Sequence, residues 1–204
     1  MEIWQGIITS FGAIMAAVIA GLIAIKQYER NKKTDLKFEN MKKETNEKMS
    51  LNNRHIAIIY GELWSLLNRI DADRVYVMQP HPDTKRFYLS SYIEVNRKGV
   101  SFASEIVQNV PLGDIPVFSK DLASNCWIFY DNVDEQVMDV RAKSIMKLVG
   151  TEQIAVKQLV DISGGWIGSL VAGYITTEPI EEKKIFKQMK ITANTIQFIL
   201  PPLN

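Results

Sequence analysis

The sequence predicts an α+β protein with an N-terminal transmembrane helix, a charged helical stalk and one C-terminal domain, in which helices pack on an antiparallel sheet. Three observations support this prediction. Residues 3–25 form an uncharged and almost wholly apolar run. Residues 26–55 are rich in Lys, Glu and Asn and contain neither Pro nor Gly. In residues 56–204, apolar residues recur first at helical and then at strand-like spacing, in alternating segments.

The apolar run Ile3–Ile25 predicts a helix that crosses a membrane once. At a rise of about 1.5 Å per residue it reaches roughly 34 Å, enough for a hydrocarbon core of about 30 Å. A cleaved signal peptide is the alternative, but the run is long and no plausible cleavage site separates it from Lys26. Because Lys and Arg cluster directly after the run, we expect the C-terminal domain in the cytoplasm, on a bacterial-type inner or plasma membrane.

Small residues recur at four-residue spacing along this run. Such rows let the backbones of two membrane helices approach closely, so they indicate a face for self-association. The expected partners are therefore membrane lipid and further copies of the same chain. The residues of this face are Gly12, Ala13, Ala16, Ala17, Ala20, Gly21 and Ala24.

The connector, residues 26–55, is predicted to be helical because it lacks Pro and Gly. Its apolar residues keep only a partial heptad, with Thr45 and Lys48 at positions where a coiled coil needs apolar side chains. Two alternatives stay open, a solvated stalk and a weak parallel coiled coil. The predicted domains are thus residues 1–25, 26–55 and 56–204.

Composition and motifs exclude several classes of function. The 24 basic and 23 acidic residues nearly cancel, so the chain lacks the basic field of a nucleic-acid-binding protein. The single Cys126 excludes an intrachain disulfide and is most simply a small buried hydrophobe. With only His55 and His81 beside it, no zinc-binding spacing is present. No phosphate-binding loop occurs either. We expect a non-enzyme without cofactor or metal.

The first half of the C-terminal domain is predicted to contain one helix and a β-hairpin. Apolar residues recur at three- and four-residue spacing over residues 54–70, which predicts an amphipathic helix. Residues 74–78 and 87–95 alternate as strands do, and a Pro-rich cluster at residues 79–83 predicts the turn between them. Residues 100–118 are interrupted by Pro and Gly and have no single predicted structure.

The second half is predicted to add a helix, a second hairpin and a final helix, after a short aromatic strand or buried loop. The helix stops at Gly150, a favourable C-terminal cap, and the hairpin turns at Gly164-Gly165. The domain therefore has one antiparallel sheet with helices packed on a face. These elements cover residues 126–130, 134–149, 154–162 and 166–176, and a last helix that opens at residues 177–179.

A candidate ligand pocket is predicted between the sheet and the irregular middle of the domain, because aromatic residues concentrate there. For each aromatic residue, an ordinary place in the core is the alternative. The ligand would be a small molecule, or the same surface would take a protein partner. The candidate residues are Tyr76, Tyr92, Asp114, Phe118, Asp121, Trp127, Phe129 and Trp166.

Four stretches of the domain carry a resemblance to a known family. The strand Val156–Val160 is followed by the glycine turn and strand Gly164–Leu170, and an acidic turn at Glu181-Glu182 introduces an apolar helix. Earlier, Ile128–Asp131 is an apolar run that ends in Asp. Over residues 54–200 this order resembles a GAF domain, a sensory module related to PAS domains. The resemblance implies a non-catalytic regulatory function that works through oligomerisation and through ligand or partner binding.

The cyclic-nucleotide signature found in the GAF domains of phosphodiesterases is incomplete in this chain. Its Asn-Lys element is interrupted, since Arg97 separates Asn96 from Lys98. Phe129 also stands at a different distance from Asp134-Glu135. The resemblance therefore implies a GAF-like sensor without implying a cyclic nucleotide.

The order of segments also resembles the holin of T-even bacteriophages, which has one span, a charged connector and a compact soluble domain. This second resemblance implies an alternative function, the formation of membrane lesions for host lysis. The lysine-rich flank after residue 25 departs from it, because those holins keep their N-terminus inside. A plain membrane tether for an assembly partner is the third alternative.

Overall fold

The computed structural model describes residues 32, 37, 41–83 and 85–201. The chain separates into two compact units, Met1–Leu51 and Asn52–Asn204. In the first unit, residues 32, 37 and 41–51 are helical and exposed. Within the described part of the chain, no helix is both long and apolar enough to cross a bilayer. The apolar run and its small-residue face lie outside the described residues.

The second unit is built on a six-stranded antiparallel sheet. The strand order is β3-β2-β1-β6-β5-β4, so the first and last hairpins meet at the centre, where β1 pairs with β6. The strands are β1 (Arg74–Asp83), β2 (Arg86–Asn96), β3 (Val110–Pro111), β4 (Trp127–Tyr130), β5 (Gln153–Val160) and β6 (Trp166–Tyr174).

Five helices and two short 3₁₀ turns complete the described part of this unit. Helix α1 covers residues 52–69 of the unit and precedes the sheet. The 3₁₀ turns lie between β2 and α2, the segment for which the sequence predicts no single structure. The other elements are the turns Ala103–Glu105 and Leu112–Asp114 and the helices α2 (Pro116–Ser124), α3 (Val133–Gln136), α4 (Val140–Leu148) and α5 (Glu182–Ile196).

Helices cover both faces of the sheet, and each face has its own hydrophobic core. Strand β1 divides its side chains between them: Val75 and Val77 join the core under α1 and α5, whereas Tyr76 and Met78 join the core under α2 and α4. This division follows from the alternation of side chains along a strand. The predicted α+β class with an antiparallel sheet is confirmed, but the expectation that helices cover one face is wrong.

The first hairpin is confirmed, although its turn lies further along the chain than predicted. Strand β1 continues through Pro80 and Pro82 to Asp83, and His81 is half-buried within it. Beyond Met78, β1 pairs with β2 but no longer with β6. Proline is tolerated where one side of a strand has no partner, which explains why a Pro-rich cluster is part of a strand here.

The second half departs from the prediction in its helices. The expected helix over residues 134–149 is two helices, α3 and α4, and its stop at Gly150 is confirmed by a left-handed φ of 69°. Asp139 lies between the two helices and precedes α4, but its carboxylate does not cap that helix. It accepts the N–H of Phe118 at 2.6 Å instead. Helix α5 begins at Glu182, later than predicted, and α2 was not predicted. The hairpin around Gly164-Gly165 is confirmed.

Candidate ligand site

A small apolar cavity lies between the sheet and the helices α2 and α4. Its volume is about 30 Å³, which by volume is room for roughly two water molecules. Apart from the hydroxyl of Tyr76, every side chain of the wall is apolar, and apolar cavities of this kind stay dry. The lining residues are Tyr76, Met78, Leu89, Val107, Val110, Ile115, Phe118, Ala142, Ile145, Met146 and Ile154.

Tyr76 is the polar member of the cavity wall. It is buried, and burial raises the pKa of its hydroxyl above the ordinary value. The charge of Arg74 lowers this pKa and the charge of Glu94 raises it, but burial is the largest effect. The phenol is therefore neutral in the physiological range, and it can both donate and accept a hydrogen bond.

Arg74 is fully buried beside Tyr76, at the start of β1. One terminal nitrogen, Nη2, donates to the carbonyl oxygen of Val149 at the end of α4. Its Nε and Nη1 have no hydrogen-bond partner among the described residues. Nor does a described carboxylate lie within 4.0 Å of the guanidinium. A buried cation with free donors is unusual, because burial of an unpaired charge is costly.

Glu94 is an acidic residue of the neighbouring strand β2, where it pairs with Tyr76. Its carboxylate accepts the backbone N–H groups of Ala103 and Ser104 at 2.8 and 2.6 Å. The glutamate thus holds the first 3₁₀ turn against the sheet. It does not neutralise Arg74 by direct contact.

The structure brings two of the predicted pocket residues to the cavity. These are Tyr76 and Phe118. Asp121 lies on α2, where its Oδ2 accepts the hydroxyl of Tyr130 at 3.3 Å, and Asp114 is exposed. Trp166 packs against the core on the cavity's face, and its Nε1 donates to Ser169, but it does not line the cavity.

The other three predicted pocket residues, Tyr92, Trp127 and Phe129, lie on the opposite face of the sheet. Trp127 stacks on Phe129 at 6.5 Å and meets the ring of Phe186 edge-on at 5.1 Å. Its Nε1 also donates to Glu182 at 2.8 Å. Trp127 therefore fastens helix α5 to the edge of the sheet, which is a structural role.

Two further findings bear on the predicted chemistry. Cys126 is exposed, so its expected burial is wrong. Among the described residues, no group of three or more His, Cys, Asp and Glu side chains is placed to hold a metal ion. Arg74, which no sequence motif singles out, is the unpredicted polar group of this region.

A second, more open groove lies at the tip of the β5–β6 hairpin. Its volume is about 490 Å³. Ile162, which is 96% exposed, stands at its rim with Trp166 and Phe198. None of the described residues that line the groove is a buried polar residue, so the cavity beside Arg74 is the stronger candidate for a specific ligand.

Comparison with solved structures identifies the fold. A domain of a putative two-component sensor histidine kinase from Sinorhizobium meliloti is 16% identical, with a TM-score of 0.53 over 70% of this chain and 88% of that one. The PixJ GAF domain of Thermosynechococcus elongatus is 13% identical, with a TM-score of 0.56 over 74% and 89%. The fold is GAF-like. GAF3 from the Synechocystis protein Slr1393 agrees, at 12% identity and a TM-score of 0.56 over 69% and 89%.

No family model and no curated protein matches the chain. The GAF-like fold confirms the resemblance drawn from the strand and turn pattern of the second half. At identities of this size the likeness concerns the fold alone. The membrane anchor, the oligomer and the likeness to phage holins stay predictions.

Proposed function

We propose that this chain is a membrane-anchored, non-catalytic sensory module whose GAF-like domain binds a small molecule in the cavity between the sheet and α2 and α4. The observation that carries the proposal is that cavity, because it is a built apolar space beside a few polar groups. The absence of any phosphate-binding or catalytic motif from the sequence supports a binding function over an enzymatic one.

Strand β1 supplies a route by which a ligand would act on the rest of the chain. Tyr76 and Met78 form part of the cavity wall, while Val75 and Val77 pack in the core under α1. A ligand that shifts β1 therefore changes the packing of α1 on the other face. The apolar run and the connector precede helix α1 in the sequence. We therefore propose that α1 transmits the effect of ligand binding towards the membrane.

The size of the cavity limits the class of ligand. One neighbour is described as a phycoerythrobilin-bound GAF domain. A chromophore as large as phycoerythrobilin does not fit a cavity of about 30 Å³ unless the side chains of the wall move apart. We propose a smaller molecule, and the flexible side chains of Met78 and Met146 suit a wall that adapts to it.

Oligomerisation is the second part of the proposal, and an exposed face of α1 supports it. Ala57, Gly61 and Ser65 stand at four-residue spacing and are all exposed, beside Trp64 and Ile58, which are 47% and 40% exposed. A Cβ at Gly61 would meet no atom within 4 Å. A glycine within a helix is unfavourable, so close approach of a second copy would explain its presence.

Thermal unfolding of the full-length protein in mild detergent tests the ligand proposal. A panel of small apolar and amphipathic compounds is added to the unaltered protein and to two variants of α4. Ala142→Leu fills the cavity, whereas Ser144→Leu makes a leucine at an exposed position of the same helix. We expect at least one compound to raise the unfolding temperature of the unaltered protein and of Ser144→Leu, but not of Ala142→Leu. Equal effects on both variants, or none at all, would contradict the proposal.

A further inference from the structure

Two donor nitrogens of Arg74 have no hydrogen-bond partner in the described part of the domain. The guanidinium carries five N–H groups, of which one is on Nε and two are on Nη1, and these two atoms lack a partner among the described residues. Arginine stays protonated in proteins, so deprotonation does not relieve its burial. Buried polar groups are nearly always satisfied, and an exception in a native fold calls for a water, an ion or a ligand.

Arg74 does not itself line the cavity, but residues next to it in the sheet do. Tyr76, two residues further along the same face of β1, lines it. The strand partner of Arg74 is Gly173, and Gly173 pairs on its other side with Ile154, which also lines it. The Val149 carbonyl that Arg74 contacts follows Met146 of the cavity wall by one helical turn.

The charges around Arg74 favour an anionic partner. Its cross-strand neighbour is Asn96, whose amide is neutral and whose Oδ1 also has no partner among the described residues. The carboxylates of Glu94 and of Asp73, the residue before Arg74, already accept backbone N–H groups. The described region offers no carboxylate within 4.0 Å to complete an ion pair. Guanidinium groups match carboxylates in geometry and form strong charge-assisted hydrogen bonds with them.

We propose that the ligand of the cavity is a small carboxylate, with its apolar body in the cavity and its anionic head on Nε and Nη1 of Arg74. This inference rests on the proposed function, which it deepens by naming the chemical class of the ligand. A carboxylate at this place would fill the free donors and compensate the buried charge. Its apolar part would occupy a wall that offers little besides methyl, methylene and aromatic surface.

Matched pairs of compounds test the inference on the full-length protein in mild detergent. Propanoate is compared with propanamide, and butanoate with butanamide, by the shift in unfolding temperature at neutral pH, with acetate as the control for salt. Each pair has nearly the same shape and differs in the charge of the head. We expect one of the carboxylates to produce its stabilising shift at a concentration about tenfold lower than its amide does, since a charged acceptor strengthens the hydrogen bonds.

A variant assigns the effect to Arg74. Arg74→Lys keeps the positive charge but loses the planar set of donors, so we expect it to reduce the preference for the carboxylate. Should this variant fail to fold, the matched pairs on the unaltered protein still decide. Equal shifts from acid and amide would overturn the carboxylate inference and leave the ligand-binding proposal standing. If none of the four probes stabilises the protein, the inference is overturned, and the broader panel with Ala142→Leu decides separately whether the cavity binds any ligand.

Discussion

The side chain of Arg74 crosses the backbone of Gly173 on the neighbouring central strand. A Cβ atom at residue 173 would lie 3.0 Å from Cγ and 3.2 Å from Cδ of Arg74. The glycine therefore leaves the space through which the arginine reaches the carbonyl of Val149. The buried cation beside the cavity depends on a residue without a side chain, in the strand paired with its own.

We expect Gly173→Ala to destabilise the domain by about 1–3 kcal/mol, because the added methyl group must displace the stem of a buried arginine. Gly113→Ala is the control, since a Cβ there meets nothing within 4 Å, and it should change stability by less than about 0.5 kcal/mol. Denaturant unfolding of the two variants checks this. Equal stabilities would show that Arg74 is not held as described.

Filling the empty cavity should stabilise the unliganded protein. Val107→Ile adds one methylene group to the wall, and burial of that group contributes up to about 0.8 kcal/mol. Val117→Ile makes the same change at a position that is 45% exposed, where a near-neutral effect is expected. The difference between the two unfolding midpoints measures the cavity. A Val107→Ile protein less stable than its control would mean that the wall has no room to accept the group.

The turn of the β5–β6 hairpin should depend on pH. Asp161 accepts the hydroxyl of Ser163 and the N–H of Gly165, and these bonds lower the pKa of its carboxyl. Because the pKa of Asp161 is lower in the folded state, its ionised carboxylate contributes to the free energy of unfolding. This contribution is fully present above the unfolded-state pKa and is lost as the pH falls through the folded-state pKa. Asp161→Asn keeps an acceptor oxygen without the charge.

We therefore expect the unaltered protein to be more stable than Asp161→Asn at neutral pH, with the difference vanishing in acid. Denaturant unfolding at several pH values checks this, with Asp114→Asn as an exposed control outside the hairpin. A difference that stays constant down to acid pH would assign the effect to something other than the titration of Asp161.

A substitution on the exposed face of α1 should have opposite effects on the stability of the domain and on its self-association. In a chain that stays monomeric, Gly61→Ala should gain about 1 kcal/mol from helix propensity. If a second copy packs on Gly61, the added methyl group should instead weaken association, and we expect a loss of roughly tenfold. Sedimentation of the full-length protein in detergent measures this, with Gly113→Ala as the control. Unchanged association combined with higher thermal stability would contradict the proposed interface.

Local patterns predicted much of the fold. The periodicity of residues 54–70 predicted α1, and the glycine turn predicted the second hairpin. The prediction of a turn at residues 79–83 was wrong. Proline is excluded from a strand that is paired on both sides, but Pro80 and Pro82 lie where β1 is paired on one side only. Here β1 has lost β6 as a neighbour by that point. This information lies in the pairing of β1 with a strand that is distant in sequence, and local turn chemistry does not contain it.

The candidate site was less predictable, since it depends on which face of the sheet each residue occupies. Alternation alone separates Trp127 and Phe129 from Ile128 between them, and the structure places the two aromatic residues away from the cavity. Alternation does not tell which face holds the cavity. The role of Arg74 could be predicted only from the strand register that pairs it with Gly173. No sequence motif indicates that register.

Hydrogen–deuterium exchange on the full-length protein, with and without the most stabilising compound of the panel, tests the ligand-binding claim most directly. We expect added protection in residues 107–118 and 140–149, which form much of the cavity wall, and a change in α1 on the opposite face. Protection confined to the groove around Ile162 and Phe198, with the cavity segments unchanged, would contradict it.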